Sequence, residues 1–170
     1  MSQSLDESLQ QAATTAANAV KECQRKVVFA ESCTAGLAAA TLATIPGISD
    51  FHCGSAVTYR NDTKHCWLGV REEDLERYTA VSDVVARQMA QGVLVRTPEA
   101  DLAVSVTGHL GPNAPDGFDG LIFIGAARRG DDGVEVVGVD RIVLETPARR
   151  ERQVEAAMKV LARLAKLAGE

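Results

Sequence analysis

Val27-Val28-Phe29-Ala30 is an apolar run with no polar member, and it stops abruptly at Glu31-Ser32-Cys33-Thr34-Ala35-Gly36. A strand with one face in water alternates apolar and polar side chains, whereas an unbroken run has to be covered on both faces. Leu102-Ala103-Val104-Ser105-Val106 is nearly as apolar, with Ser105 its one polar member, and stops at Thr107-Gly108. Buried strands of this kind need helices above and below the sheet, and the rest of the chain supplies them.

Residues 5–21 place Leu5, Leu9, Ala12, Ala13, Ala16 and Val20 on one helical face. A second helix is expected over 36–43, broken by Pro46-Gly47, and a strand over 54–59. A short helix over 62–68 is closed by Gly69, and Ser82 is a good N-cap for a helix running to residue 95. Residues 111–117, with two prolines and two glycines, read as a loop. Strands over 121–127 and 134–144 form a hairpin through Arg129-Gly130-Asp131-Asp132-Gly133, and a helix over 147–167 turns Val154, Ala157, Met158, Leu161 and Leu164 inward. The expectation is a single domain over residues 1–170 of the α/β class: a three-layer α/β/α sandwich with a mixed, mostly parallel sheet.

Net charge is −5 with no long block of like charge, which argues against nucleic acid as partner. Apolar stretches are too short to cross a bilayer, and the acidic start lacks the pattern of a signal peptide, so a cytoplasmic location is expected. Cys23, Cys33, Cys53 and Cys66 form no C-x-x-C pair and read as small hydrophobes, with neither disulfide nor metal. The basic residues of the last helix, Arg149, Arg150, Arg152, Lys159, Arg163 and Lys166, alternate with acids and read as a solvated face.

In open α/β sheets, ligands bind beyond the carboxyl ends of the strands. Three polar segments fall there: 31–36, 58–64 and 107–112. In the first, Ser32 sits near a helix N-terminus, either as a cap or as a nucleophile whose oxyanion the free amides would stabilise. In the second, Lys64 is either a solvated helix residue or, with its pKa lowered by burial, the base that takes the serine proton. Tyr59 would relay that proton. In the third, Thr107, Gly108 and Gly111 offer backbone close to a ligand, and His109 is a rival base for Ser32, though no carboxylate is placed to orient its ring.

Taken together, the segments resemble the C-terminal domain of the CinA competence-damage-inducible family, which occurs alone as nicotinamide-nucleotide amidase. Residues 30–36 resemble the family's A-E-S-C-T-G-G, and residues 57–64 with Leu68-Gly69-Val70 its V-T-Y-x-N-x-x-K…L-G-V. Ala80-Val81-Ser82 with Val85-Ala86 and Met89-Ala90 is similar to A-V-S-x-x-V-A-x-x-M-A, and Val106-Thr107-Gly108 with Gly111-Pro112 to V-T-G-x-x-G-P. The resemblance implies an amidohydrolase that deamidates nicotinamide mononucleotide without a cofactor. It assigns the nucleophile to Ser32 and the activating pair to Lys64 and Tyr59. It puts substrate against Glu31, Cys33, Thr34, Ala35, Gly36, Asn61, Thr107, Gly108 and Gly111. It also implies a homo-oligomer, with a dimer favoured. Larger members carry a separate N-terminal domain, for which this chain is expected to have no room.

The sequence departs from the pattern at Ala35, which replaces glycine, and at His109, which replaces isoleucine. Asn113-Ala114-Pro115-Asp116 replaces a glycine-rich run and Phe118-Asp119 a lysine-proline pair. Asp116 and Asp119 would repel a phosphate if they pointed inward. These changes keep two alternatives open: a binding module of the same fold without catalysis, and a hydrolase of another small amide.

Overall fold

The computed structural model describes residues 3–170. The chain order is α1 (Gln3–Cys23), β1 (Val27–Glu31), α2 (Leu37–Leu42), β2 (His52–Val57), α3 (Asn61–Leu68), α4 (Glu72–Tyr78), α5 (Asp83–Arg96), β3 (Leu102–Gly108), β4 (Leu121–Gly130), β5 (Gly133–Val143) and α6 (Arg149–Ala168). The five strands form one sheet in the order β2-β1-β3-β4-β5. β1 pairs in parallel with β2 and β3, while β4 runs antiparallel to both β3 and β5. Four strands therefore point the same way, and the sheet is mixed and mostly parallel as expected.

The unbroken apolar run of β1 is buried on both sides, and so is Glu31, the fifth residue of the strand. Val27 and Phe29 pack with α1, α2 and α6, whereas Val28 and Ala30 pack with α3, α4 and α5. This alternation is what makes three layers. The second layer is drawn tight at Gly92 of α5, where a Cβ would lie 1.9 Å from Leu68 O. Only glycine lets α5 pass so close to the end of α3. Ser82 caps α5 as anticipated, accepting from Val85 N at 3.3 Å.

Three local expectations are corrected. Strand β2 begins and ends two residues before the span read from sequence, which leaves Thr58 and Tyr59 beyond its end. Helix α4 was not anticipated, because its seven residues bury only Asp74 and Leu75 and show no apolar period. Finally, α2 starts at Leu37 with Gly36 as its cap, so Ser32 lies ahead of the helix rather than at its N-cap. Among the described residues no helix is long and apolar enough to cross a membrane.

Candidate active site

The turn after β1 is organised by Glu31, which is fully buried. Its Oε2 accepts from Thr34 Oγ1 (2.6 Å), Gly36 N (3.0 Å) and Ala38 N (3.2 Å), and its Oε1 from Ala39 N (3.0 Å) and Ser55 Oγ (3.2 Å). Free amides at a helix start attract an anion, and here the anion is internal. The amides of α2 are thus closed to substrate, and Glu31, Thr34 and Gly36 are turned to the scaffold. The chain bends through Ala35 (φ 54°) and Gly36 (φ 91°), both left-handed. Ser32 is held by its own N–H donating to Val106 O at 3.0 Å and by Ala35 N donating to Ser32 O at 3.0 Å.

Lys64 comes from the middle of α3 and is 1% exposed. Its Nζ donates to Thr58 O at 2.7 Å and to Ser32 Oγ at 2.9 Å. No carboxylate pairs with it among the described residues, and burial pulls its pKa down to about 8. A buried ammonium facing only a carbonyl and a hydroxyl is poised to lose its proton. Cys33 beside it behaves in the opposite sense. Burial pushes its thiol up to about 12, so it is not a competing thiolate near neutral pH.

Tyr59 is brought to the cleft but not to the Ser32–Lys64 contact. Its Oη accepts from Arg149 Nη2 at 3.0 Å, and Arg149 Nη1 donates to Gly111 O. Thr107 Oγ1 donates to Ala80 O at 2.7 Å and so ties the end of β3 to the segment ahead of α5. Ser32, Cys33, Tyr59, Lys64, Thr79, Ala80, Val81, Thr107, Gly108, His109, Leu110 and Arg149 together line a cavity of about 230 Å³. A basin of about 290 Å³ adjoins it, bounded by Cys33, Ala35, Tyr59, Leu110, Arg149, Arg150 and Gln153. Among the described residues, no hydroxyl or thiol lining the larger depressions elsewhere is hydrogen-bonded to a lysine or histidine. Asn61 lines one of these, with Asp62, His65 and Glu72, and so stands apart from Ser32.

Arg149 and Arg150 are the residues the sequence reading missed, having assigned them to a solvated face. One signal was available: two arginines open α6, where the helix dipole disfavours cations. Asp119 does not repel an anion from the cleft, because both its oxygens are held by Arg152, at 2.7 and 2.8 Å. That pairing also keeps its carboxyl below the usual range. Gly111 lies under this clamp, since a Cβ there would come within 2.6 Å of Asp119 Oδ1 and 2.8 Å of Arg152 Nη1. Among the described residues no three His, Cys, Asp or Glu side chains are grouped to hold a metal ion.

The sequence profile of the CinA C-terminal domain matches residues 9–166. A CinA-like protein of Chlorobium limicola is 38% identical over 149 residues, covering 85% of this chain and 34% of that protein. Another, from Trichormus variabilis, is 46% identical over 105 residues, 61% of this chain and 25% of that protein. The chain thus spans about a third or less of these relatives. A competence/damage inducible protein of Agrobacterium tumefaciens has a solved structure that superposes with a TM-score of 0.85 at 33% identity, over 94% of this chain and 95% of that one. With its fold, its motifs and nearly its whole length in agreement, the chain belongs to the CinA C-terminal domain family.

Proposed function

We propose that this chain is a serine–lysine amidohydrolase that converts nicotinamide mononucleotide to nicotinate mononucleotide and ammonia. The observation that carries the reading is the 2.9 Å contact between Ser32 Oγ and Lys64 Nζ, with Lys64 only 1% exposed and its pKa near 8. Neutral Lys64 takes the Ser32 proton as Oγ bonds to the carboxamide carbon. Of the amides in the turn, those of Ser32, Ala35 and Gly36 are engaged, which leaves those of Cys33 and Thr34 as the candidates to meet an oxyanion. Collapse breaks the C–N bond, and Lys64 returns its proton to the departing nitrogen as ammonia forms. Water then attacks the acyl ester, gives a proton to Lys64, and releases the carboxylate as Ser32 Oγ is reprotonated.

The substrate's two ends match the two compartments. The smaller cavity is below the roughly 300–1,000 Å³ of drug-sized sites and suits a small planar amide. Arg149 and Arg150 in the adjoining basin suit the phosphate. In this reading Tyr59 assists through Arg149 at the junction of the compartments.

Ammonia release from nicotinamide mononucleotide, followed for the native sequence and for Ser32→Ala, tests the proposal. Release by the native sequence and none by Ser32→Ala is the expected result. No release at high enzyme concentration rejects the substrate, and activity surviving in Ser32→Ala rejects the nucleophile.

A further inference from the structure

Most polar side chains of the serine cavity are already committed. Ser32 and Lys64 hold each other, Tyr59 is tied to Arg149, and Thr107 is bonded to Ala80 O. His109 differs from them. It lines the same cavity, and neither ring nitrogen has a hydrogen-bond partner among the described residues.

Its placement is nonetheless fixed. His109 N donates to Leu121 O at 2.9 Å, carrying the β3–β4 ladder one step past the Gly108↔Ile122 pair. Its ring stands edge-to-face with Phe118, with centroids 6.0 Å apart and planes at 89°. Phe118 is locked in turn: its N–H donates to Pro115 O at 2.9 Å and its carbonyl accepts from Leu121 N at 3.1 Å. The next residue, Asp119, is clamped by Arg152. The departures at 109 and 118 are therefore one contact rather than two separate changes.

The nearby walls, Ala80, Val81, Gly108 and Leu110, are small or aliphatic. An aromatic ring entering the cavity meets one flat side chain not tied by a hydrogen bond. We infer that His109 is a specificity-determining residue, whose imidazole, steadied by Phe118, packs against the aromatic ring bearing the scissile carboxamide. It favours aromatic over aliphatic carboxamides. The inference rests on the amidase reading and names the end of the substrate that His109 reads.

The test is calorimetric titration of Ser32→Ala protein, which binds without turnover, with nicotinamide mononucleotide and with ribose 5-phosphate, which lacks the ring. It is run with His109 intact, with His109→Phe and with His109→Gln. Aromatic pairing predicts that His109→Gln binds nicotinamide mononucleotide about three- to tenfold more weakly, while His109→Phe stays within about twofold. Ribose 5-phosphate binding is expected to be the same in all three. In the Ser32 enzyme, His109→Gln raises KM and leaves kcat in place. Equal nicotinamide mononucleotide affinity across the series overturns the inference, as does loss in His109→Phe with retention in His109→Gln, or a kcat loss at unchanged KM. An enzyme that binds nicotinamide mononucleotide but releases no ammonia overturns the amidase reading and leaves the titration to decide the role of His109. No binding at all overturns both.

Discussion

Glu31 precedes Ser32 in the chain and Lys64 donates to its hydroxyl; both are essentially removed from water, and the fold treats them in opposite ways. The Glu31 carboxylate accepts five hydrogen bonds, three of them from the opening amides of α2. Lys64 has two acceptors, one of them the Ser32 hydroxyl, and no opposite charge among the described residues. A buried charge with every lone pair engaged is a fixed part of the scaffold. A buried charge left short of partners has its proton loosened instead. Proximity to the serine does not separate the two, but the completeness of their hydrogen bonding does.

Replacing Lys64 should have the largest consequence. In Lys64→Met, turnover is expected to fall by about 10²–10⁴-fold, the range of general acid–base catalysis, with the circular dichroism spectrum unchanged. A near-normal rate would mean that the unsatisfied charge has no chemical role. The unmutated chain offers a matching test by pH. With burial bringing Lys64 down to about 8, the proposal that its neutral form is the base predicts that kcat/KM climbs through that pH and levels off above it. Between pH 7 and the plateau the gain should be about tenfold. A profile flat from pH 7 to 9 would remove Lys64 as the base.

Glu31→Gln should act on stability rather than chemistry. An amide turns an N–H₂ toward groups that are themselves donors, so unfolding free energy should drop by about 1–3 kcal/mol. The kcat of the folded fraction should stay within a few-fold. Loss of kcat at an unchanged thermal midpoint would erase the distinction between the two residues. The smallest effect is expected at Ala35, whose φ of 54° carries a Cβ through a left-handed turn. Ala35→Gly should raise stability by about 0.5–1 kcal/mol, since the relieved strain outweighs the added chain entropy. A lower thermal midpoint would show that the methyl group packs usefully beside the basin.

Much of the architecture was legible because it rests on local or nearly local physics. The apolar runs of β1 and β3 specified strands covered on both faces, Ser82 specified the start of α5, and the apolar stripes specified α1 and α6. The misreadings came where tertiary contacts overrode local signals. Helix α4 is held by Asp74 bonding to Arg71 and Gln88, with one buried leucine and no stripe to announce it. Ser32 read as a cap because an E-S-C-T run does resemble a helix start. Glu31, folding back over eight residues to Ala39, took that place.

By itself the sequence determined the layered α/β class and the family motifs, and it singled out Ser32 and Lys64 as the candidate nucleophile and base. Periodicity, capping and motif order are properties of neighbouring residues along the chain, and those are written in it directly. Only the tertiary structure decided that Lys64 reaches Ser32, that Tyr59 answers to Arg149 ninety residues away, and that His109 and Phe118 form one wall. Those contacts depend on how strands register and helices dock. A lysine becomes a candidate base only where folding has stripped it of water and of any countercharge.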